Sequence, residues 1–301
     1  MKIMITGATG FAGKYTSAEC ERAGHTVLRQ DVENAVDELC FDIRDSEATN
    51  AAVAELKPDA CIHLAGITDV ASGWADPAEM YSVNLLGTVN LLEAFRKNEL
   101  SSRILVVSSS QVYDNVRAYD DFNEKVHFLP SNVYAISKLA ADLTALSYAE
   151  KYGMCVFTAR PINHIGPGQS ERFVTSAFAG QLKRIAAGEQ EAVMRVGNLS
   201  SRRDFLDVRD VARAYRLLIE KAEAGDYYNI AAGRSIQIKQ VFDKLCLIAG
   251  VNPEVKVDKA LYRPTDASPR VDVSQLKRKT GWEPEIDIED TLRDLYKSIE
   301  P

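Results

Sequence analysis

The chain has 301 residues, of which 46% are hydrophobic and 26% charged, a globular composition with room for about two domains. Its formal net charge of -7 argues against a protein that grips nucleic acid through phosphate contacts. No apolar run reaches the roughly 18 residues of a membrane span, so no membrane partner is expected.

The N-terminus and the cysteines together indicate a reducing cytoplasm. The first residues enter a strand-like segment at once, without the basic, apolar and cleavage regions of a leader peptide. The five cysteines are odd in number, scattered and without CxxC spacing. They therefore predict neither a disulfide framework nor a zinc site, and no metal site is expected.

Short β-rich runs alternate with helical patterns over the first half of the chain. Strands are predicted over 2–6, 25–30, 38–42, 60–65, 103–108 and 155–160, and helices over about 11–23, 46–56, 76–97 and 131–152. Several strands are almost continuously apolar, which is typical of strands covered on both faces. The alternation predicts an α/β fold with a Rossmann-type doubly wound parallel sheet.

The pattern changes after residue 160. A loop is predicted over 161–169, a strand over 227–231, and helices over about 173–187, 208–222, 237–249, 272–279 and 289–299. We expect a dinucleotide-binding domain over 1–160, to which the chain returns at about 205–233. A smaller C-terminal substrate lobe is expected from 161–204 and 234–301.

A glycine-rich loop joins the first strand to the first helix. Gly7, Gly10 and Gly13 follow the spacing GxxGxxG, which lets a backbone turn tightly and approach a pyrophosphate at a helix N-terminus. An ordinary tight turn would use the same residues. Asp31, at the end of the second strand, can bond ribose hydroxyls and repel a 2′-phosphate, which favours NAD(H). Arg29 could accept such a phosphate and leaves NADP(H) open.

Tyr134 and Lys138 form YxxxK within a predicted helix and so share one face. A cation beside a phenol stabilises the phenolate, and lowering a pKa of about 10 to ~7 takes roughly 4 kcal/mol. Ser109 follows the fifth strand, where a hydroxyl can polarise a substrate carbonyl. The YxxxK spacing could also arise by chance, and a serine after a strand could serve only to form a turn.

These motifs together resemble the extended short-chain dehydrogenase/reductase family over nearly the whole chain. TGATGFAG resembles its cofactor loop, HLAG its fourth-strand motif, and Ser109 with Tyr134 and Lys138 its catalytic set. The resemblance implies binding of NAD(H) or NADP(H). The implied cofactor contacts are Gly7, Gly10, Phe11, Gly13, Asp31, Asp42, Ile43, Leu64, Ala65, Gly66, Asn84, Tyr134, Lys138 and Pro161.

Three later segments, NHIGPGQS, RFVTSAFAGQ and VGNLSSRRDF, resemble family members that act on GDP-sugars. The resemblance implies NAD(P)H-dependent reduction of the C4 keto group of a GDP-4-keto-6-deoxyhexose, giving GDP-D-rhamnose. The implied substrate contacts are Ser109, Ser110, Gln111, Asn163, Val174, Lys183, Asn198, Arg203 and Arg263. Arg203 suits phosphate oxygens, although a salt bridge to Asp204 or Asp207 would explain it equally.

Other functions remain open within and outside the family. A 4-epimerase would use the same residues with recycled NAD⁺, and a dehydratase would need an acid–base group where Gln111 offers only an amide. A non-catalytic dinucleotide sensor would typically lack the tyrosine and lysine. A homodimer is expected through the long apolar helices 76–97 and 131–152, because relatives often pair in this way.

Overall fold

The computed structural model describes residues 1–32, 39–113, 121–259, 261 and 270–300. The helices are α1 (Phe11–Arg22), α2 (Ser46–Leu56), α3 (Val70–Ala75), α4 (Pro77–Tyr81), α5 (Gly87–Lys97), α6 (Val133–Tyr152), α7 (Val174–Ala186), α8 (Val208–Lys221), α9 (Ile238–Ala249), α10 (Ser274–Thr280) and α11 (Ile288–Ser298). A π-helical turn covers Ser82–Leu86, and a 3₁₀ turn covers Ser110–Tyr113.

The strands are short and mostly buried. They are β1 (Lys2–Thr6), β2 (Thr26–Asp31), β3 (Leu39–Cys40), β4 (Ala60–His63), β5 (Arg103–Val107), β6 (Asp121–Phe122), β7 (Val156–Pro161), β8 (His164–Ile165), β9 (Val193–Val196), β10 (Arg202–Asp204), β11 (Leu206–Asp207), β12 (Tyr227–Ile230), β13 (Ser235–Gln237), β14 (Glu254–Val257) and β15 (Arg270–Val271).

Seven parallel strands form one sheet in the order β12-β7-β5-β4-β1-β2-β3. The predicted doubly wound parallel sheet is therefore confirmed. Strand β2 lies on one side of β1 and β4 on the other, so the winding reverses at β1. Such a reversal opens a crevice at the carboxyl ends of the strands, where open α/β sheets bind ligands.

Both faces of the sheet are covered by helices. Ile3 and Ile5 of β1 lie in a core with Leu218 of α8, whereas Met4 lies in a second core with Phe95 of α5 and Ala145 of α6. Successive residues of a strand point to opposite faces. The apolar runs that predicted these strands therefore supply both cores.

A third core forms among helices that follow residue 161. Phe178 of α7, Phe242 of α9 and Leu292 of α11 lie in it. Leu276 and Trp282 lie instead in the core of the large sheet, although the expected domain boundaries group them with the smaller lobe. The division into two domains remains a prediction.

Several local features differ from the sequence-based expectation, including short strands such as β9 and β14 that were not predicted. Residues 161–169 are not wholly a loop, because His164–Ile165 pairs with β11. Helix α3 was not predicted, and the predicted helix over 76–97 is divided by the π-helical turn. Within the described ranges, no helix is long and apolar enough to cross a membrane.

Candidate active site

The glycine loop packs directly against the loop after β4. Gly7 has a positive φ of 69°, and a Cβ there would lie 2.8 Å from the backbone nitrogen of Ala65. A Cβ on Gly13 would overlap the carbonyl oxygen of Gly7. Helix α1 begins after Gly10 with no side-chain cap, which leaves N–H groups at its N-terminus. This compact turn fits a dinucleotide pyrophosphate.

Asp31 lies beside the glycine loop, as expected for a ribose contact. One carboxylate oxygen accepts hydrogen bonds from the backbone nitrogen and the hydroxyl of Thr9, at 3.0 and 2.5 Å. The other accepts from the backbone nitrogen of Val32 at 2.8 Å. Arg29 pairs with Glu21 at 2.6 Å. The Asp31 side chain at the end of β2 is thus held in place by Thr9 of the glycine loop and by the residue that follows it.

Asp42 and Ile43 follow β3, at the edge of the same crevice. The Arg44 guanidinium donates hydrogen bonds to Asp42 and holds the pKa of that carboxyl below its usual range. Ile43 is buried, and its carbonyl oxygen accepts from the side-chain amide of Asn90 at 3.0 Å. These contacts tie the segment to α5.

A buried histidine joins the ends of β1 and β4. The Thr6 hydroxyl oxygen accepts from the backbone nitrogens of Leu64 and Ala65, each at 3.2 Å, so its proton points to Nδ1 of His63 at 2.7 Å. Nε2 lies 3.0 Å from the hydroxyl of Thr88. Thr88 donates its proton to the carbonyl of Asn84, so Nε2 must be the donor there.

These contacts assign His63 as a neutral imidazole with its proton on Nε2. Burial lowers its pKa to about 3, and the positive charge of Lys138 adds to the shift. Through the Thr6 hydroxyl, the ring therefore helps to position the backbone of Leu64 and Ala65, which were predicted to contact the cofactor.

Asn84 lies in the π-helical turn, a feature often found at functional sites. Its side chain accepts from the backbone nitrogen of Ile67 at 2.8 Å and donates to the hydroxyl of Ser137 at 2.9 Å. A Cβ on Gly66 would lie 2.9 Å from Asn84 Oδ1 and 3.7 Å from Lys138 Nζ. The lysine ammonium therefore lies against the loop after β4.

Tyr134 and Lys138 lie on the buried face of α6, whose N-terminus is capped by Asn132. Burial lowers the pKa of Lys138 to about 8, and the negative charge of Asp142 opposes the shift. The Ser108 hydroxyl donates to the Lys138 carbonyl at 3.3 Å. Helix α6 is thus joined to the end of β5, immediately before Ser109.

Ser109 and Gln111 form the turn after β5. The buried Ser109 hydroxyl accepts from the backbone nitrogen of Gln111 at 3.2 Å, which is the turn chemistry that the sequence left open. The Gln111 side-chain oxygen lies 3.4 Å from the amide nitrogen of Asn132. Ser110, which lies between Ser109 and Gln111 in the chain, is the first residue of the 3₁₀ turn. The turn therefore lies against the start of α6.

The candidate substrate residues other than Ser109, Ser110 and Gln111 are spread over elements that follow β7. Pro161, a predicted cofactor contact, ends β7 and is buried, whereas Asn163 is exposed and its carbonyl accepts from the backbone nitrogen of Leu206. Val174, the first residue of α7, is exposed. The Phe11 ring stacks on His164 with a centroid distance of 6.0 Å. That contact joins the glycine loop to this half of the chain.

The polar members of the substrate set have partners within the protein. Lys183 Nζ lies 4.9 Å from the ring centroid of Tyr296, a cation–π arrangement. The Asn198 side-chain oxygen accepts from the hydroxyl of Ser200 at 2.7 Å, and Arg203 donates to the carbonyl of Arg202 at 2.8 Å. The predicted contact of Arg263 lies outside the described residues.

Asp204 and Asp207, with which the sequence suggested a salt bridge of Arg203, have other partners. Asp204 accepts from the backbone nitrogen of Gly233 at 2.8 Å, and Asp207 pairs with Arg209 at 2.8 Å. Burial raises the pKa of Asp204 to about 6, while its backbone hydrogen bonds limit the rise.

Comparisons with known proteins point to one family. A profile described as GDP-mannose 4,6 dehydratase matches residues 4–295. The GDP-6-deoxy-D-mannose reductase of Pseudomonas aeruginosa is 37% identical over 301 residues, which cover 99% of this chain and 97% of that protein.

Two solved structures share the architecture over the whole chain. The structure of RMD from Pseudomonas aeruginosa, complexed with NADPH, has a TM-score of 0.87 and 36% identity, and the match covers 99% of this chain and 98% of that one. UDP-glucose 4-epimerase from Thermus thermophilus, complexed with NAD, has a TM-score of 0.86 and 26% identity, with coverages of 99% and 98%.

Proposed function

The chain belongs to the GDP-mannose 4,6-dehydratase family of extended short-chain dehydrogenases/reductases, and we propose that it reduces the C4 keto group of GDP-4-keto-6-deoxy-D-mannose with NAD(P)H to give GDP-D-rhamnose. The observation that carries this proposal is the 37% identity with a reductase of GDP-6-deoxy-D-mannose over nearly the full length of both chains. The positions of Tyr134, Lys138 and Ser109 give that likeness a chemical basis.

A nicotinamide dinucleotide fits the crevice between β1 and β4. The Gly7–Gly13 turn and the N-terminus of α1 suit its pyrophosphate, and Asp31 suits an adenosine ribose. Since Asp31 would repel a 2′-phosphate, we propose that NADH is preferred, with NADPH also accepted. The ratio of kcat/KM for the two cofactors tests this preference, and Asp31→Asn should shift it toward NADPH.

The proposed chemistry divides among three side chains. When bound, the reduced cofactor supplies the hydride. Tyr134 gives its proton to the oxygen that becomes an alkoxide at C4, and Ser109 donates a hydrogen bond to the same oxygen. Lys138 holds the ribose hydroxyls and stabilises the phenolate that remains. Because these groups are buried, their charges act through a low dielectric and are stronger than in water.

The GDP-sugar is assigned to the second half of the chain. We propose that residues 161–204 and 234–301 hold it and that 1–160, with the return at about 205–233, hold the cofactor. Its contacts would come from Asn163, Val174, Lys183, Asn198, Arg203 and Arg263. Two guanidinium groups suit the two phosphates of a diphosphate.

The side chain at position 111 distinguishes a reductase from a dehydratase, because Gln111 carries an amide. Removing the C5 proton and eliminating water requires a group that gains and loses a proton, which an amide cannot do. The Gln111 amide also lies within reach of Asn132, at 3.4 Å. We therefore expect no water elimination from GDP-mannose.

Exposed apolar side chains on the π-helical turn and on α6, which pack against each other, suit a second copy of the chain. Leu86, Ile136 and Leu143 are 54%, 41% and 45% exposed. Large exposed apolar side chains on neighbouring elements are a common feature of interfaces between proteins. We propose a homodimer that covers these side chains.

The decisive experiment mixes the protein with GDP-4-keto-6-deoxymannose and NADH or NADPH and follows oxidation of the cofactor. Mass spectrometry should show a product heavier by two hydrogens. Tyr134→Phe should lose at least about 100-fold in kcat while still binding cofactor. Tyr148→Phe is the matched control, because this hydroxyl on the same helix donates to Glu93 at 2.8 Å.

Two results would overturn the proposal. Absence of cofactor oxidation with the keto sugar would exclude the reductase. Conversion of a GDP-sugar without net consumption, by protein that retains NAD⁺ through purification, would identify an epimerase instead.

A further inference from the structure

Arg160 is an almost completely buried cation near the candidate active site, with 1% of its surface exposed. Its guanidinium lies 4.8 Å from the ring centroids of both Phe128 and Tyr227. It donates to Asp142 at 2.7 Å and to the hydroxyl of Tyr113, also at 2.7 Å. The planar group is therefore fixed by two rings and two acceptors.

The partners of Arg160 belong to the segments that carry the proposed catalytic groups. Asp142 lies one helical turn after Lys138 on α6, and Tyr113 ends the turn that begins just after Ser109. The Thr158 hydroxyl donates to Asp142 at 2.9 Å, and the Tyr113 hydroxyl donates to the side chain of Asn229 at 3.3 Å. One guanidinium thus links the turn after β5 with α6, β7 and β12.

Stability is a weak reason to keep such a group. The free energy needed to desolvate a buried ion pair is about as large as the attraction between its charges. A well-packed apolar pair therefore often gives the folded protein the same stability. A guanidinium held in a planar fork does, however, impose a defined geometry on its partners. That geometry here relates the turn after β5 to helix α6.

We propose that Arg160 is a positioning residue, which uses Tyr113 and Asp142 to hold the turn bearing Ser109 against the helix bearing Tyr134 and Lys138. Its effect on turnover rests on the proposed reductase function. Its effect on the turn does not, because the hydrogen bonds of residues 109–113 can be followed without substrate.

Tyr113→Phe removes one of the two acceptors of Arg160 while keeping the ring. Because a hydrogen bond to a charged group is lost, the backbone amides of Gln111 and Val112 should exchange with deuterium about tenfold to a hundredfold faster. The value of kcat should fall at least about tenfold, whereas KM for the cofactor should remain unchanged. Tyr228→Phe is the control, since this equally buried tyrosine also loses a hydroxyl, which donates to Asp226 at 2.6 Å.

The double substitution Asp142→Leu with Arg160→Met removes the ion pair without leaving an isolated buried charge. It should melt close to the wild-type temperature yet show the faster exchange and lower kcat of Tyr113→Phe. If both variants keep wild-type exchange in the turn, or match Tyr228→Phe in exchange and kcat, Arg160 is only structural and the proposal is wrong. If the wild-type protein oxidises no cofactor, the reductase proposal fails, and the exchange data still decide the role of Arg160.

Discussion

Acid should destabilise this protein through the buried imidazole of His63. Its pKa is lowered from 6.5 to about 3 in the folded chain, so between these values only the unfolded chain binds the proton. The contribution of the neutral His63 ring to the free energy of unfolding is fully present above pH 6.5 and is lost as the pH falls. Each pH unit is worth about 1.4 kcal/mol, so at pH ~5 the loss from this group is about 2 kcal/mol.

Urea unfolding of wild type and His63→Asn at several pH values between about 5 and 8 measures this loss. At neutral pH the variant should be less stable by about 1–3 kcal/mol, because Thr88 loses its donor. That difference should shrink by about 2 kcal/mol as the pH falls to ~5, since the variant has no ring to protonate. A constant difference between wild type and His63→Asn over this pH range would refute the neutral, buried assignment.

Gly13→Ala should weaken NADPH binding at least about tenfold, because the added Cβ overlaps the carbonyl of Gly7; wild-type affinity by fluorescence titration would contradict this. For ketone reduction, kcat/KM should fall as the pH rises above about 8, where Lys138 loses its proton, and a flat profile to pH ~10 would count against the role of that charge. Leu143→Asp should convert a homodimer to a monomer in sedimentation analysis, whereas a monomeric wild type would disprove the proposed interface.

The large sheet could be predicted because its signals are local. Short apolar runs of three or four residues mark β1, β4, β5 and β7, and each strand is buried on both faces. The glycine loop was equally readable, since Gly7 needs a positive φ and Gly13 must leave room for a backbone carbonyl. These requirements belong to short stretches of chain.

The features that could not be predicted depend on contacts between distant segments. Helix α3 has six residues, too few for a periodic pattern, and Gly73 packs it against Met80 and Val133. Strand β8 forms only because residues about 40 positions later supply its partner, β11. Arg160 gave no signal, because an arginine near the end of an apolar strand is indistinguishable from a surface residue until Asp142 and Tyr113 are placed beside it.

The candidate site shows the same division. Tyr134, Lys138 and Ser109 stood out by spacing and position, whereas the residues that hold them did not. Asn132 caps α6 and contacts Gln111, and Ser137 receives a hydrogen bond from Asn84. A cap signal before α6 was readable in the sequence. The contact with Asn84 was not, because it spans more than 50 residues.

The wide turn over Ser82–Leu86 lets the helical segments on either side of it keep their orientation, because a π-helical turn takes up one residue more than an α-helical turn. Deleting one residue within the turn would restore regular winding and leave Leu91, Leu92 and Phe95, all fully buried, facing the core. Deleting one residue of α5 ahead of Leu91 would instead swing the rest of that helix by about 100° about its axis and turn these side chains toward water. Changes in length should therefore be tolerated in the turn, beside the exposed Leu86, and not in the helix that follows it.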